Sequence, residues 1–335
     1  MRVTIDAIPL LVRSAGVKNY LYYWTRQLRA ESNGAVEIGL FPFLGEPRGL
    51  NHEGSMADPV TTWMRLLLWF VVNRFPNDIT GWMEPETDVF HTCKLLEPPR
   101  RARLTATVHD LTCWLLPETH SPANVAADQN FAERILRRAD GVIAVSAATR
   151  DDAVRILKLR PERVHVIHHG IAEPFFRAGK SEAETVRARH GLARPYLLFV
   201  GTIEPRKNVG LLLDAYEGVA GSLREEFDLV VAGPAGWAQD ATLARLREQR
   251  AGVRYLGYVP EGDLPGLFAG ATAFVYPSLY EGFGFPVAQA MAELLTSPTK
   301  RCGMIAAGRA NARRFTWSEC ARQSLRFFEA VAGRS

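Results

Sequence analysis

YLLFVGTIEPRKN, residues 196–208, joins a short apolar run to a glycine turn and a pair of cations. The apolar run, bounded by Gly201, is typical of a strand buried on both faces of a parallel sheet. Arg206 and Lys207 follow, and a helical pattern begins just after them. Because helix-start N–H groups and cations both attract anions, this loop suits a diphosphate. A solvated basic pair is an equally good interpretation of this stretch taken alone.

The same arrangement recurs along the second half of the chain. Apolar runs at residues 228–232, 253–256 and 273–276 each end in a loop that carries glycine or proline. In an open parallel sheet, ligands bind beyond the carboxyl ends of the strands. We therefore expect a row of ligand-facing loops along one edge of a sheet in this half.

The loop with the strongest signal is YPSLYEGFGFP, residues 276–286. Gly282 and Gly284 would let a phosphate approach the backbone, and Pro286 suits the first turn of a helix. Glu281 stands just outside, where a carboxylate accepts hydrogen bonds from sugar hydroxyls. A lone glycine pair is weak evidence, but its combination with Glu281 and Pro286 indicates a loop that binds phosphate and sugar.

The first half also alternates strand-like and helical patterns. Strand-like runs lie at residues 3–5, 36–41, 88–91, 104–108, 141–145 and 164–167, with helical patterns at 17–28, 131–138 and 147–157. Such alternation implies parallel βαβ units, and 335 residues suffice for two domains. We predict an α/β fold with a first domain at 1–173, a connection at 174–195, a second domain at 196–320 and a closing helix at 321–335.

Two positions in the first half are candidates for ligand contact. His109, with Asp110 beside it, ends the run 104–108 at the ligand-facing edge, where catalytic and structural roles are equally good interpretations. Gly16 lies in the turn SAGVKNY, residues 14–20, where such domains approach a substrate. From spacing alone, the plain beginning of a helix is the preferred interpretation of that turn.

Composition excludes several classes of protein. Hydrophobic residues make up 47% and charged residues 23% of the chain, which is typical of globular proteins and not of disordered ones. A net charge of +4 fits an anionic ligand but is too small to indicate a nucleic-acid partner. The cysteines lack metal-ligand spacing and are expected to be reduced thiols in the cytoplasm: Cys93, Cys113, Cys302 and Cys320. The N-terminus is expected to be a strand and not a signal peptide.

The most apolar stretch is residues 64–72, with LLLWFVV at its centre. It is much shorter than the ~20 residues of a membrane-spanning helix, so we expect a buried helix. Contact with a membrane surface is the minority interpretation. Basic residues that would meet an anionic leaflet lie nearby: Arg65, Arg74, Arg100 and Arg101. The protein is expected in the cytoplasm, with peripheral contact at the inner face of the membrane as the alternative.

Motifs in order along nearly the whole chain resemble the GT-B-fold retaining glycosyltransferases of family four (glycosyl transferases group 1). They are the glycine turn at 14–20, DVFH at 88–91, VHDLTCWLLPETH at 108–120, VIAVSAATRDD at 142–152, VHVIHHGI at 164–171, LLFVGTIEPRKN at 197–208, VVAGPAGW at 230–237, VRYLGYV at 253–259 and AGATAFVYPSLYEGFGFPVAQAMA at 269–292. The resemblance implies two facing Rossmann-like domains, a nucleotide-diphosphate sugar as donor, a saccharide or lipid-linked acceptor, and no metal or cofactor. It implies sugar transfer with retention in surface-polysaccharide synthesis.

The same likeness implies roles for particular residues. Arg206 and Lys207 would grip the diphosphate, and their charge would stabilise the leaving group without a metal. Glu281 would orient the donor sugar, and His109 would touch it from the other domain. The other implied donor-binding residues are Gly201, then Tyr258 and Val259 near the base, the backbone of Gly282, Phe283 and Gly284, and Gln289. The implied acceptor-binding residues are Gly16, Asn19 and Tyr20.

Two features depart from the family pattern. A glutamate that accepts hydrogen bonds from the ribose normally stands where Gln289 is, and glutamine lacks the charge that strengthens such bonds. We expect nucleotide binding to be weakened by ~1–2 kcal/mol. After Ala292 the chain runs directly into segments that resemble the family's closing helices. We therefore expect that about one βαβ unit, ~30 residues or more, is missing, and that the second sheet is shortened with a new exposed edge.

Other functions stay open on the sequence alone. A degenerate, non-catalytic relative on the same fold would explain both Gln289 and the missing segment. A recent deletion in the gene, an error in the gene prediction, or a partner that covers the gap would also explain the segment. An epimerase or phosphorylase shares the fold class, although the carboxylate pair that an epimerase uses is not found in the first domain. An NAD-dependent oxidoreductase is disfavoured, because neither first-strand loop contains GxGxxG.

Overall fold

The computed structural model describes residues 1–13, 16–42, 49–50, 54–74, 76–219, 221–237, 240–250, 252–280, 307–308 and 310–333. The chain divides into two compact units. Unit 1 comprises Met1–Leu115, Pro122–Gly170 and Phe315–Ser335, and unit 2 comprises Leu116–Ser121 and Ile171–Arg314. Each unit contains a parallel sheet with helices, so the predicted α/β class is confirmed.

Unit 1 is built on a parallel sheet whose described strands follow the order β2-β1-β3-β4-β5-β6. These strands are β1 (Arg2–Asp6), β2 (Glu37–Phe41), β3 (Val89–Thr92), β4 (Arg103–Val108), β5 (Gly141–Ala144) and β6 (Val164–Val166). β3 and β5 are buried at every position, as expected for central strands of a parallel sheet. The predicted strand-like runs agree with all of these strands to within about one residue at each end.

Unit 2 has a parallel sheet whose described strands follow the order β10-β7-β8-β9. The strands are β7 (Tyr196–Val200), β8 (Asp228–Ala232), β9 (Val253–Gly257) and β10 (Ala273–Phe274). β8 is buried along its whole length. The described part of the sheet is thus short, as the sequence predicts. The predicted gap itself, after Ala292, lies outside the described residues.

The α-helices among the described residues are α1 (Gly16–Ser32), α2 (Pro59–Arg74), α3 (Ile79–Met83), α4 (Thr112–Leu115), α5 (Pro122–Phe131), α6 (Ala147–Leu157), α7 (Glu173–Arg177), α8 (Lys180–Arg189), α9 (Val209–Glu217), α10 (Gly221–Glu226), α11 (Asp240–Glu248), α12 (Leu264–Ala269) and α13 (Trp317–Val331). A π-helical turn, Ala132–Leu136, follows α5. The 3₁₀ turns are Ile8–Leu10, Pro117–Thr119, Pro161–Arg163, Pro205–Lys207 and Glu261–Asp263.

Helix α13 packs against α1 in the core of unit 1. Trp24 on α1 is fully buried and donates its indole N–H to Ser324 Oγ of α13 at 3.0 Å. Phe328 of α13 is also fully buried in the same cluster. Gly170, which ends the second segment of this unit, must lack a side chain, because a Cβ there would overlap the backbone nitrogen of Trp317. The sequence predicts the closing helix at 321–335, whereas α13 begins at Trp317 and belongs to unit 1.

Residues 174–195, which the sequence analysis treats as a connection, contain α7 and α8 and belong to unit 2. Val186 of α8 is buried in a cluster with Leu267 of α12. Gly266 allows this approach, since a Cβ at that position would lie 2.6 Å from Val186 Cγ2. The charged composition of the stretch reflects the outer face of a packed helix.

Helix α2 contains the predicted apolar stretch but is not the buried helix that we expected. Among its residues, Val72 is the one that is buried, while Trp63, Met64 and Phe70 are each more than half exposed. An all-apolar pattern normally indicates a helix enclosed on every side. Here only the inner side of α2 is packed, so the expectation of burial was wrong. Within the described ranges, no helix combines the length and apolarity that crossing a bilayer requires.

Candidate functional site

The order of strands in unit 2 places a crevice beside β7. β10 pairs with one side of β7 and β8 pairs with the other, so the chain reverses its direction of winding at β7. In open α/β sheets, the carboxyl ends of the strands at such a switch point form the ligand site. The loops there begin at Gly201 after β7 and at Val275 after β10, and both were singled out from the sequence.

The loop after β7 holds Arg206 and Lys207 in a 3₁₀ turn, Pro205–Lys207, directly before α9. Asn208 adopts a left-handed conformation (φ 55°) that turns the chain into this helix. Arg206 Nε lies 2.7 Å from Glu204 Oε1, and both side chains are largely buried. The sequence pattern does not indicate this ion pair. The carboxylate of Glu204 offsets part of the charge that Arg206 would offer to a phosphate.

The side chain of Lys207, in the loop after β7, contacts the loop after β10. Its Nζ lies 4.7 Å from the centroid of the Tyr276 ring and donates a hydrogen bond to the hydroxyl of that residue. The backbone N–H of Leu279 donates to the carbonyl of Arg206 at 2.8 Å. A cation over an aromatic face is stabilised by the ring quadrupole, so this contact orients Lys207. The chain is described to Tyr280 in this loop; the predicted site residues Glu281, Gly282, Phe283, Gly284 and Gln289 lie outside the described residues.

Glycines bring the backbone segments of this edge close together. Gly201 N–H donates to the carbonyl of Ala232 at 2.9 Å. Gly233 has φ +145°, and a Cβ there would overlap the carbonyl of Gly201. A side chain on Gly233 would therefore force the loops after β7 and β8 apart. Gly201 thus has a structural role, because its backbone packs closely against Gly233. Contact of Gly201 with a donor stays a prediction.

Tyr258 and Val259 follow β9 at the same edge of the sheet, but they differ in exposure. The Tyr258 side chain is 38% exposed, whereas Val259 is 5% exposed and packs in a cluster with Leu198 and Val230. Of this pair, Tyr258 has the surface to stack on a nucleotide base. Val259 has the environment of a core residue.

The predicted acceptor-binding residues lie at the start of α1 in unit 1. Gly16 is exposed, and a Cβ built on it would meet no atom within 4 Å. Asn19 Oδ1 is buried and lacks a hydrogen-bond partner among the described residues. Tyr20 is 3% exposed, and its hydroxyl lies 3.3 Å from Thr107 Oγ1. Tyr20 is thus a core residue, while contact of Gly16 and Asn19 with an acceptor stays a prediction.

Tyr20 connects His109 to a second histidine, His169, in the same unit. The Tyr20 ring stacks on His169 with centroids 4.5 Å apart and meets His109 edge-on at 5.1 Å. The two imidazoles are 5.5 Å apart between centroids. His169 Nε2 is buried and, like Asn19 Oδ1, has no partner in the described part of the chain.

These histidines are uncharged at neutral pH. Burial lowers the pKa of His109 to about 4; the nearby Asp110 opposes this change and Lys94 adds to it. Burial also lowers the pKa of His169 to about 3, with a further contribution from His109. Neutral imidazoles have one N–H donor and one acceptor nitrogen each, so they can bind hydroxyl groups without carrying charge.

The sequence does not single out His169, which contacts His109, or Trp317, which stacks on His169. Their rings stack with centroids 6.1 Å apart, and Trp317 Nε1 is also buried without a described partner. The available signal was the pair His168–His169 directly after β6, at the ligand-facing edge of the sheet. The contribution of Trp317 had no local signal, since it comes from a helix far along the chain.

No metal-binding group is evident among the residues that are described: they contain no cluster of at least three His, Cys, Asp or Glu side chains that could hold an ion. The expectation that neither metal nor cofactor takes part stays a prediction. A cavity of about 360 Å³ in unit 1 lies before β5 and β6, at the opposite edge of the sheet from His109. It includes Lys158, Arg160 and Arg163 and none of the predicted site residues.

Solved structures share this fold. HepE of Anabaena, crystallised with UDP-glucose, aligns with a TM-score of 0.67 and 18% identity over 99% of this chain and 100% of that chain. Sucrose-phosphate synthase from Thermosynechococcus elongatus aligns with a TM-score of 0.72 and 16% identity over the whole of both chains. At such identities the likeness concerns the fold. The two α/β units therefore form a fold of the GT-B glycosyltransferase class.

Sequence comparison narrows this class to a family. The model described as Glycosyltransferase Family 4 matches residues 14–173, and the model described as Glycosyl transferases group 1 matches residues 182–294. The chain belongs to the family-four glycosyltransferases, as the motifs indicated.

Curated relatives match over part of their length. O-antigen chain mannosyltransferase B of Escherichia coli is 33% identical over 206 residues, which are 61% of this chain and 54% of that protein. Alpha-maltose-1-phosphate synthase of Mycobacterium tuberculosis is 37% identical over 165 residues, which are 46% of this chain and 42% of that protein. The matched regions thus span about half the length of these relatives.

Proposed function

We propose that this protein transfers a hexosyl group from a nucleotide-diphosphate sugar to a saccharide or lipid-linked acceptor, with retention of configuration. The observation that carries the proposal is the position of Arg206 and Lys207, two cations at the carboxyl end of β7, beside the switch point of the unit 2 sheet. Family membership and the UDP-glucose in the HepE crystal structure support a nucleotide sugar as the donor.

In this proposal, the charges of Arg206 and Lys207 stabilise the diphosphate as the bond to the sugar breaks. Lys207 is held in place by Tyr276 before any ligand arrives, and preorganised charges stabilise a leaving group without further rearrangement. Glu204 fixes the direction of the Arg206 guanidinium in the same way. Glu281 would orient the sugar hydroxyls, and the exposed ring of Tyr258 would stack on the base.

The hydroxyl of the acceptor would be bound by unit 1. Asn19 Oδ1 and His169 Nε2 are buried polar atoms without described partners, and such atoms are stabilised when a ligand supplies the missing hydrogen bond. The relative from Escherichia coli is an O-antigen chain mannosyltransferase, which supports a role in surface-polysaccharide synthesis. Gln289 is expected to weaken, not abolish, binding of the nucleotide.

Calorimetric titration of UDP, GDP and ADP, and then of their sugars, tests the donor site. Lys207→Met keeps the hydrocarbon stem against Tyr276 and removes the charge, so we expect affinity for the diphosphates to fall about tenfold or more. Lys180→Met is the matched control, because Lys180 is a solvent-exposed lysine on α8 of the same unit. A well-folded protein that binds none of these compounds at millimolar concentration would contradict the proposal.

A second candidate is a non-catalytic relative that keeps the fold and has lost the reaction. Gln289 and the apparent loss of a βαβ unit after Ala292 favour it. Slow hydrolysis of the donor sugar distinguishes the two functions, since a catalyst that retains the site releases sugar even without its acceptor. Release that disappears in Glu281→Gln would exclude the non-catalytic alternative. Tight nucleotide binding without any release would favour it.

A further inference from the structure

Six large apolar side chains of α2 form one continuous exposed stripe. They are Val60, Trp63, Met64, Leu67, Phe70 and Val71, and their side chains are between 45% and 69% exposed. Steps of three and four residues place such positions on one face of a helix. Single exposed apolar residues are ordinary, but a contiguous apolar stripe on a folded protein marks a surface that another body covers.

The fold of unit 1 does not itself require this stripe. The inner side of α2 is packed by other residues: Val72 is fully buried, and Leu68 and Trp69 contact the same cluster, which contains Phe41 and Phe90. The six outer residues lie on the opposite side of the helix from this cluster. Their apolar character therefore adds nothing to the core that α2 covers.

Two further exposed apolar side chains lie on α3. Asn77 Nδ2 donates to the carbonyl of Val72 at 2.8 Å, which ties the beginning of α3 to the end of α2. On α3, Trp82 is 82% exposed and Met83 is also exposed. We call the stripe on α2 together with Trp82 and Met83 the apolar face of unit 1.

Cations border the apolar face. Helix α2 contains no Asp or Glu and ends with the exposed Arg74. Arg100 and Arg101 are exposed as well, and the backbone N–H of Arg100 donates to Asp78 Oδ1 at the start of α3. The face thus combines tryptophan, long apolar side chains and an arginine rim.

We propose that the apolar face binds the surface of an anionic phospholipid bilayer. Tryptophan rings and aliphatic side chains enter the boundary between headgroups and acyl chains, and arginines at the edge pair with lipid phosphates. With 16 residues, α2 is too short to cross the hydrocarbon core, so it lies in the plane of the surface. The inference uses residues of unit 1 alone and does not depend on the donor site.

Flotation with vesicles tests this proposal on the whole chain. Vesicles of phosphatidylcholine mixed with phosphatidylglycerol should carry the wild-type protein upward, and pure phosphatidylcholine should carry at least about tenfold less. Trp63→Glu combined with Phe70→Glu should abolish binding, while its circular dichroism and melting temperature stay unchanged because both positions are exposed. Leu211→Glu, at a residue of α9 that is similarly exposed, is the matched control and should bind like wild type.

Two further measurements identify what binds to the apolar face. Arg100→Gln combined with Arg101→Gln should reduce binding and weaken its dependence on salt, because these residues supply part of the charge term. Analytical ultracentrifugation without lipid tests whether a second copy of the chain covers the face instead. Absence of vesicle binding by the wild type, binding that Trp63→Glu with Phe70→Glu leaves intact, or a dimer that this double variant dissociates would each overturn the proposal.

Discussion

His91 lies at the centre of the unit 1 sheet with both ring nitrogens engaged. Its Nδ1 is 3.0 Å from Thr105 Oγ1 and its Nε2 is 3.0 Å from Thr107 Oγ1, and the side chain is fully buried. Burial, with a smaller contribution from His109, lowers the pKa of His91 from 6.5 to about 3. Below pH 6.5 the His91 imidazole is therefore protonated in the unfolded chain but stays neutral in the folded chain. The contribution of the neutral His91 to the unfolding free energy is therefore fully present above pH 6.5 and is lost as the pH falls towards 3.

This linkage predicts the behaviour of a variant. While only the unfolded chain is protonated, His91 costs about 1.4 kcal/mol of unfolding free energy per pH unit. His91→Gln should be less stable than wild type at pH 7, through its altered hydrogen bonds, but should lose stability more slowly between pH 6.5 and 5. Urea unfolding at several pH values measures both slopes. Parallel slopes for the two proteins would show that His91 does not carry this dependence.

Predictions for single residues agree with the structure where neighbouring residues in the sequence determine the local conformation. The strand, glycine turn and helix around Arg206 and Lys207 are encoded by neighbouring residues, and all three are present in the structure. The partner of Lys207 was not foreseeable in this way. Tyr276 comes close because β10 pairs with β7, and which strands become neighbours depends on how the whole sheet is assembled.

At the scale of elements, Gly170 controls how α13 meets the body of unit 1. An added Cβ would overlap the backbone of Trp317, so Gly170→Ala should displace the beginning of α13. We expect a loss of about 1–3 kcal/mol of unfolding free energy, the usual cost of overpacking. Gly262→Ala is the control, because a Cβ there meets no atom within 4 Å. Equal stability of the two variants in denaturant titrations would contradict this account of Gly170.

Helix α2 illustrates why element type is easier to predict than environment. The sequence correctly indicated a helix around residues 64–72, since helical propensity and pattern are local properties. It also suggested burial on all sides, because apolar residues surround the helix axis. Composition does not reveal that only the inner side of α2, with Val72, finds partners within unit 1. The apolar residues on the outer face of α2 are therefore not explained by packing within unit 1.

At the level of the complete chain, loss of α13 should destabilise unit 1 and leave unit 2 folded. Trp317, Phe327 and Phe328 of α13 belong to the same cluster as Trp24. Ending the chain after Arg314 should therefore expose that cluster and make unit 1 sensitive to protease. Unit 2 contains no residue of α13, so a resistant fragment within Ile171–Arg314 should persist.

Limited proteolysis followed by mass spectrometry measures this difference between the units. Arg322→Ala, at a half-exposed position of α13, serves as the control and should be cleaved like wild type. If the chain ending at Arg314 protected both units equally, α13 would not be a structural part of unit 1. The sequence pattern does not indicate this assignment, because the whole of unit 2 lies between α1 and α13 along the chain.

The same chain path has a consequence for synthesis on the ribosome. Nascent domains generally fold in the order in which they emerge. Unit 1 cannot follow that order to completion, because α13 is translated only after all of Ile171–Arg314. At roughly 5–20 residues per second, that interval lasts on the order of ten seconds. During this time the α1 surface around Trp24 stays uncovered, which makes it the natural place for a chaperone to hold the growing chain.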